Sequence, residues 1–241
     1  MTNPIPETTD QAVSAGVKNV VLVHGTWADG SSWSKVIPLL EAKGLHVLAV
    51  QNPLTSLGDD VAATQRAIEL QDGPVLLVGH SWGGVVVTQA GNHDKVAGLV
   101  YVAAVAPDEG QSFLDVVQTA PATPGNDQIR PDAYGFVSMS PQGIFEDFAQ
   151  DLPEAEQKLI LATQGPQAFT ALTEKITKAA WKHKPSWFVV AANDRMINPD
   201  LERTLAKKLN ASTVEVSTSH VAMLAQPEAV AAVILEAAGR V

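Results

Sequence analysis

Short apolar runs recur along this chain, each of strand length and most followed by a stretch with helical spacing. Val20-Val21-Leu22-Val23 is the first, His46-Val47-Leu48-Ala49-Val50 the second and Pro74-Val75-Leu76-Leu77-Val78 the third. Leu99-Val100-Tyr101-Val102-Ala103, Trp187-Phe188-Val189-Val190-Ala191 and Val214-Glu215-Val216 follow. A strand that is apolar on both faces must be covered on both faces, the condition of a parallel sheet between two helical layers. Residues 32–43, 59–71, 85–90, 199–209 and 227–238 supply the helices. Pro38 lies inside the first, so that helix starts or kinks there. Right-handed crossovers bring every strand's C-terminal end to one edge, where open α/β sheets build their sites.

The rhythm breaks between residues 108 and 183. No convincing sheet strand occurs there, and prolines at 121, 124, 131, 141, 153 and 166 separate helix-like pieces such as 154–163. A structureless loop of that length is uncommon inside a compact domain. The segment therefore reads as a mostly helical cap, inserted between the fourth and fifth strands. The expected core is 18–107 and 184–241, an α/β domain with a parallel sheet of about six strands covered by helices on both faces. Residues 1–17, with Pro4, Pro6 and Asp10, read as a flexible lead.

Composition narrows the function. A chain of 241 residues can bury a large core without staples. The absence of cysteine excludes disulfides, thiolate metal sites and a cysteine nucleophile. A net charge of −10 disfavours nucleic acid and anionic membrane as partners. No apolar run reaches the roughly 20 residues of a membrane span, and residues 1–17 lack the basic start of a secretory signal. A cytoplasmic location is the resulting expectation. The oligomeric state stays open.

Gly79-His80-Ser81-Trp82-Gly83 matches G-x-S-x-G. Chance produces this pattern in roughly one chain in fifteen of this length, so its setting matters. It follows the third strand directly and precedes a helix, the strand–turn–helix context of a nucleophile elbow. A serine hydroxyl needs a base within hydrogen-bond reach and a group that orients the base. Asp194 ends the fifth strand and His220 follows the sixth, in the chain order Ser, Asp, His, and both fall on the edge that carries Ser81. Asp200, at the start of the 199–209 helix, fits a helix cap better than an orienter. His24 and His80 also follow strand ends and are read as structural, beside their glycines. Acyl transfer further requires donors to an oxyanion. The backbone N–H of Trp82, after the candidate nucleophile, and that of Thr26, in the loop after the first strand, are the candidates. No P-loop, dinucleotide fingerprint or H-E-x-x-H pattern is present, and nothing in the sequence calls for a metal or organic cofactor.

These segments together resemble the small α/β-hydrolases, in particular the branch containing plant methylesterases and hydroxynitrile lyases with bacterial esterase relatives. The resemblance spans about residues 18–238. It rests on His24-Gly25-Thr26-Trp27 with Ser31-Ser32-Trp33, on the elbow, on Val100-Tyr101-Val102-Ala103-Ala104 with Pro107-Asp108, and on Asn193-Asp194-Arg195 and Ser219-His220-Val221. It implies a cofactor-free hydrolase acting on a small ester, with Ser81, Asp194 and His220 as triad and Thr26 and Trp82 as oxyanion hole. The related lyases carry Thr where this chain has Gly25 and Lys where it has Val221, which favours ester hydrolysis. A cofactor-free lyase on the same scaffold and a catalytically silent small-molecule receptor remain the alternatives. Residues 108–183 match the branch poorly, and they are the expected seat of substrate choice.

Overall fold

The computed structural model describes residues 16–241; the expected lead, up to residue 15, lies outside the described residues. Strand β1 (Asn19–Val23) leads to helix α1 (Ile37–Glu41), then β2 (His46–Ala49), α2 (Leu57–Glu69), β3 (Val75–His80), α3 (Gly83–Ala90) and β4 (Val96–Val102). Next come α4 (Phe113–Val117), the short strands β5 (Ile129–Pro131) and β6 (Phe136–Met139), and α5 (Pro141–Gly143), which runs into a π-helical turn (Ile144–Phe148). Helix α6 (Glu154–Thr163) and β7 (Gln167–Ala168) complete this segment. The chain closes with β8 (Ser186–Ala191), α7 (Pro199–Lys208), β9 (Ser212–Val216), α8 (Ala222–Ala225) and α9 (Pro227–Arg240).

Six strands form one parallel sheet in the order β2-β1-β3-β4-β8-β9. Side chains alternate across it. Val21, Val23 and Leu77 face α2, α3 and α7, while Val20, Leu22, Leu76 and Val78 face α1 and α9. Every residue of β1, β3 and β8 is buried, whereas β9, at the edge, exposes four of five. From β1 the chain crosses to β2 on one side and then to β3 on the other. The C-terminal ends of β1 and β3, paired through Val23 and Gly79, therefore flank a topological switch point, where open sheets bind ligands.

Several details refine the sequence-based expectations. Pro38 sits in the first turn of α1, so the helix starts there rather than kinking. Val17 belongs to the core, and its amide donates to the Val241 carbonyl at 3.2 Å. The cap of α7 is Asn198, whose side chain accepts from the Asp200 amide, so Asp200 is a first-turn residue and not the cap. Between β4 and β8, where the sequence predicts no strand, β5, β6 and β7 form a three-stranded antiparallel sheet. Strands of two to four residues are too short for alternation to register. Among the described residues no helix is long and apolar enough to cross a membrane.

Candidate active site

Ser81 occupies the hinge between β3 and α3. Its φ of 53° lies in the left-handed region, a strain of about 1–3 kcal/mol for a residue with a Cβ. Surrounding hydrogen bonds hold it there. The Ser81 amide donates to Val102 O at 3.2 Å, and the Ser81 carbonyl accepts from Gly84 N at 3.0 Å and Val105 N at 3.3 Å. Glycine is needed on both sides, at 79 because the backbone doubles back and at 83 because the end of β1 packs against it. A Cβ on Gly79 would stand 2.5 Å from Gly83 O, and one on Gly83 would stand 2.4 Å from Val23 O.

Asp194 follows β8 and is buried. Its Oδ1 accepts from Met196 N at 2.6 Å and Ile197 N at 2.9 Å, while Oδ2 accepts from His220 Nδ1 at 2.5 Å. With Nδ1 donating to Asp194, Nε2 is the nitrogen left for chemistry. The ring of His220 is held on two more sides. Phe148 of the π-helical turn packs at 5.3 Å and His80 at 4.7 Å between ring centroids. Nε2 of His80 donates to the His220 carbonyl at 3.0 Å. Burial, with His220 beside it, drives the His80 pKa well below the ordinary histidine value, so the ring is neutral.

The loop after β1 is fixed by a similar device. His24 Nε2 accepts from the Asn52 amide at 2.9 Å, so its proton is on Nδ1, which donates to Gly25 O at 2.8 Å. Burial lowers the His24 pKa and keeps this neutral tautomer. Gly25 lies against the elbow. A Cβ there would sit 2.6 Å from Ser81 Cβ and 3.1 Å from His80 Nδ1. Thr26 is buried and lines the same cavity as Ser81. Among the described residues, neither the Thr26 nor the Trp82 backbone amide donates to another protein group. The Trp82 indole donates to Asp60 Oδ2 at 2.7 Å, and Asp60 Oδ1 accepts from Leu54 N at 2.8 Å. Burial outweighs those two bonds and pushes the Asp60 carboxyl up to about 6.

Ser81, His220 and Thr26 share one cavity of about 470 Å³. Its walls are apolar, with Phe113, Leu114, Val137, Phe169, Leu172 and Met196 prominent, and no Asp, Glu, Lys or Arg lines it among the described residues. The segment between β4 and β8 also grips the loops beneath it. Arg195 pairs with Asp147 at 2.7 Å, Gln150 donates to Asn193 O at 2.8 Å, and the Ser219 amide donates to Asp151 at 2.6 Å. These contacts run from a π-helical turn and the residues after it, a geometry common at functional sites.

Of the five residues singled out in the sequence, Thr26, Ser81 and His220 line one cavity, Asp194 is bonded to His220, and Trp82 follows Ser81 in the chain. Asn52, Asp60, Phe148 and Glu202 were not singled out. For Asp60 and Glu202 a signal existed. Each is a carboxylate on the apolar face of a helix, beside Ala63, Ala67 and Ile68 in α2 and beside Leu201, Leu205 and Ala206 in α7.

The alpha/beta hydrolase family profile matches residues 20–233, and the chain belongs to that family. It is 27% identical over 254 residues to the pyrethroid hydrolase of Sphingobium wenxiniae, covering 91% of this chain and 87% of that one. It is also 27% identical over 255 residues to salicylic acid-binding protein 2 of Nicotiana tabacum, covering 92% and 97%. The crystal structure of polyneuridine aldehyde esterase superposes with a TM-score of 0.77 at 21% identity, over 91% of this chain and 98% of that one. At such identity the superposition establishes the fold.

Proposed function

We propose that the chain hydrolyses a carboxylic ester by two-step acyl transfer. Ser81 is the nucleophile, His220 the general base, and Asp194 the group that holds the imidazole tautomer. His220 takes the Ser81 proton as the oxygen attacks the carbonyl carbon. The Thr26 and Trp82 amides donate to the tetrahedral oxyanion. His220 then protonates the departing alcohol, and water repeats the sequence on the acyl-enzyme. One observation carries this reading: a strained serine and a histidine share a cavity, and a buried carboxylate accepts from that histidine at 2.5 Å. Nothing in these steps requires a metal or cofactor.

The substrate we propose is an uncharged ester with a bulky apolar group. A cavity of about 470 Å³ without a charged wall would desolvate a charged substrate with no compensating partner. Relatives named pyrethroid hydrolase and methylesterase support ester cleavage as the class of reaction. Residues 108–183 are proposed as the cap that selects the substrate, above a core of 18–107 and 184–241.

Hydrolysis is preferred over cyanohydrin cleavage for two reasons. Gly25 packs directly against the elbow, where the Cβ of the Thr that the lyases carry would stand 2.6 Å from Ser81 Cβ. Val221 is buried and uncharged, so no cation follows His220 to receive cyanide. A single preparation should turn over p-nitrophenyl acetate and leave mandelonitrile intact. Cyanohydrin cleavage that depends on Ser81 and exceeds ester hydrolysis would overturn the assignment.

A further inference from the structure

Helix α7 carries a carboxyl group that the mechanism above does not use. Glu202 has no exposed surface and projects from the buried face of the helix, beside Leu201, Leu205 and Ala206. One of its oxygens, Oε2, accepts from the amide of Ala191, the last residue of β8, at 3.0 Å. The other, Oε1, has no N–H or hydroxyl partner. The Asp194 amide donates to the carbonyl of the same Ala191 at 3.2 Å, so one residue of β8 holds both acids and brings their buried carboxyl groups together. Two ionised carboxylates in that position would repel each other without water to screen them. A single proton between them removes the repulsion and satisfies the orphaned oxygen.

Which group keeps the proton follows from the donors around each. Asp194 accepts two backbone N–H bonds and the bond from His220, whereas Glu202 accepts one backbone N–H. Hydrogen bonds to the charged form favour it, so the charge belongs on Asp194. Burial, and then the Asp194 charge, pushes Glu202 well above the ordinary carboxylate range. The remaining charged neighbour is Arg203 on the same helix, and its guanidinium is held by Asp200 and Glu215 at the surface.

We propose that Glu202 is a positioning residue for the acid arm of the site: its neutral carboxyl donates its O–H to the Asp194 carboxylate and fixes that carboxylate under His220. The bond ties the acid loop to both α7 and the end of β8. It limits Asp194 to the orientation in which Oδ2 receives the imidazole N–H. The inference rests on Ser81, Asp194 and His220 acting as a triad, and phosphonate labelling of Ser81 in the unaltered chain tests that premise separately.

The experiment compares Glu202→Met and Glu202→Gln in the full chain, with active sites counted by phosphonate titration. Methionine preserves length and apolar contact but cannot donate. We expect kcat on a p-nitrophenyl ester to fall about 100-fold with KM nearly unchanged, as misplacement by about 1 Å does elsewhere. Glutamine keeps one donor and one acceptor and mimics the neutral acid. It should retain kcat within about threefold and leave the acid limb of the kcat/KM pH profile in place. A folded Glu202→Met enzyme with full kcat per titrated site would reduce Glu202 to a packing residue. If Glu202→Met does not fold, Glu202→Gln still decides. An acid limb displaced toward lower pH would mean that a negative charge has been removed, so that Glu202 is ionised, and the proposal fails.

Discussion

The indole N–H of Trp82 reaches Asp60 Oδ2 at 2.7 Å, joining the residue after the candidate nucleophile to helix α2. Asp60 is buried, so this anchor carries a titration. Its carboxyl is raised from 3.8 to about 6, with burial the main cause. The unfolded chain releases this proton near 4, while the folded chain keeps it until near 6. The contribution of Asp60 to stability is therefore complete below about 4 and is lost as pH rises through about 6. Asp60→Asn cannot titrate. Urea midpoints of the two proteins, measured between pH 4 and 7, should show the native chain losing ground to the variant as pH rises. Parallel profiles would mean that Asp60 is not raised.

Gly25 presses against the elbow. Alanine there would place a Cβ 2.6 Å from Ser81 Cβ, which is part of the fixed turn and cannot swing aside. The loop bearing Thr26 must retreat, withdrawing a proposed oxyanion donor. We expect Gly25→Ala to lower kcat by about 10²–10³-fold with a smaller change in KM. Steady-state kinetics on a folded preparation check this, and unaltered kcat would remove Thr26 from the mechanism.

Asp194 and Asp200 lie six residues apart and separate cleanly. Asp194→Asn should lower kcat by up to about 10⁴-fold, because the amide favours the wrong imidazole tautomer. Asp200 is an exposed first-turn residue paired with Arg203, which also holds Glu215. Asp200→Asn should leave kcat unchanged. The reverse pattern would place the orienting acid on α7.

The inner strands β1, β3, β4 and β8 were legible because they are buried on both faces and so read as unbroken apolar runs. The elbow was legible because the tight reversal demands glycine at 79 and the close approach of β1 demands it at 83. Asp194 and His220 were proposed from two signals together, a place just past a strand's C-terminal end and the chain order Ser, Asp, His. What stayed hidden depends on contacts distant in sequence. Asn52 fixes the His24 tautomer across 28 residues, and Phe148 reaches His220 only once the π-helical turn folds over the sheet. The strands β5, β6 and β7 stayed hidden because so few residues carry no alternation. Glu202 and Asp60 were visible as acids on apolar helix faces, but their partners were not.

In the mechanism proposed, Ser81 forms an acyl-enzyme with His220 as its base. Rapid mixing with a p-nitrophenyl ester, followed by acid quench and intact-mass measurement, tests it directly. We expect an acyl adduct on Ser81, one per chain, that forms in the native protein and is absent from Ser81→Ala. The same adduct should form orders of magnitude more slowly in His220→Ala, with turnover in both variants reduced by about 10⁶-fold. Full ester turnover by Ser81→Ala, or an adduct on another residue, would contradict it.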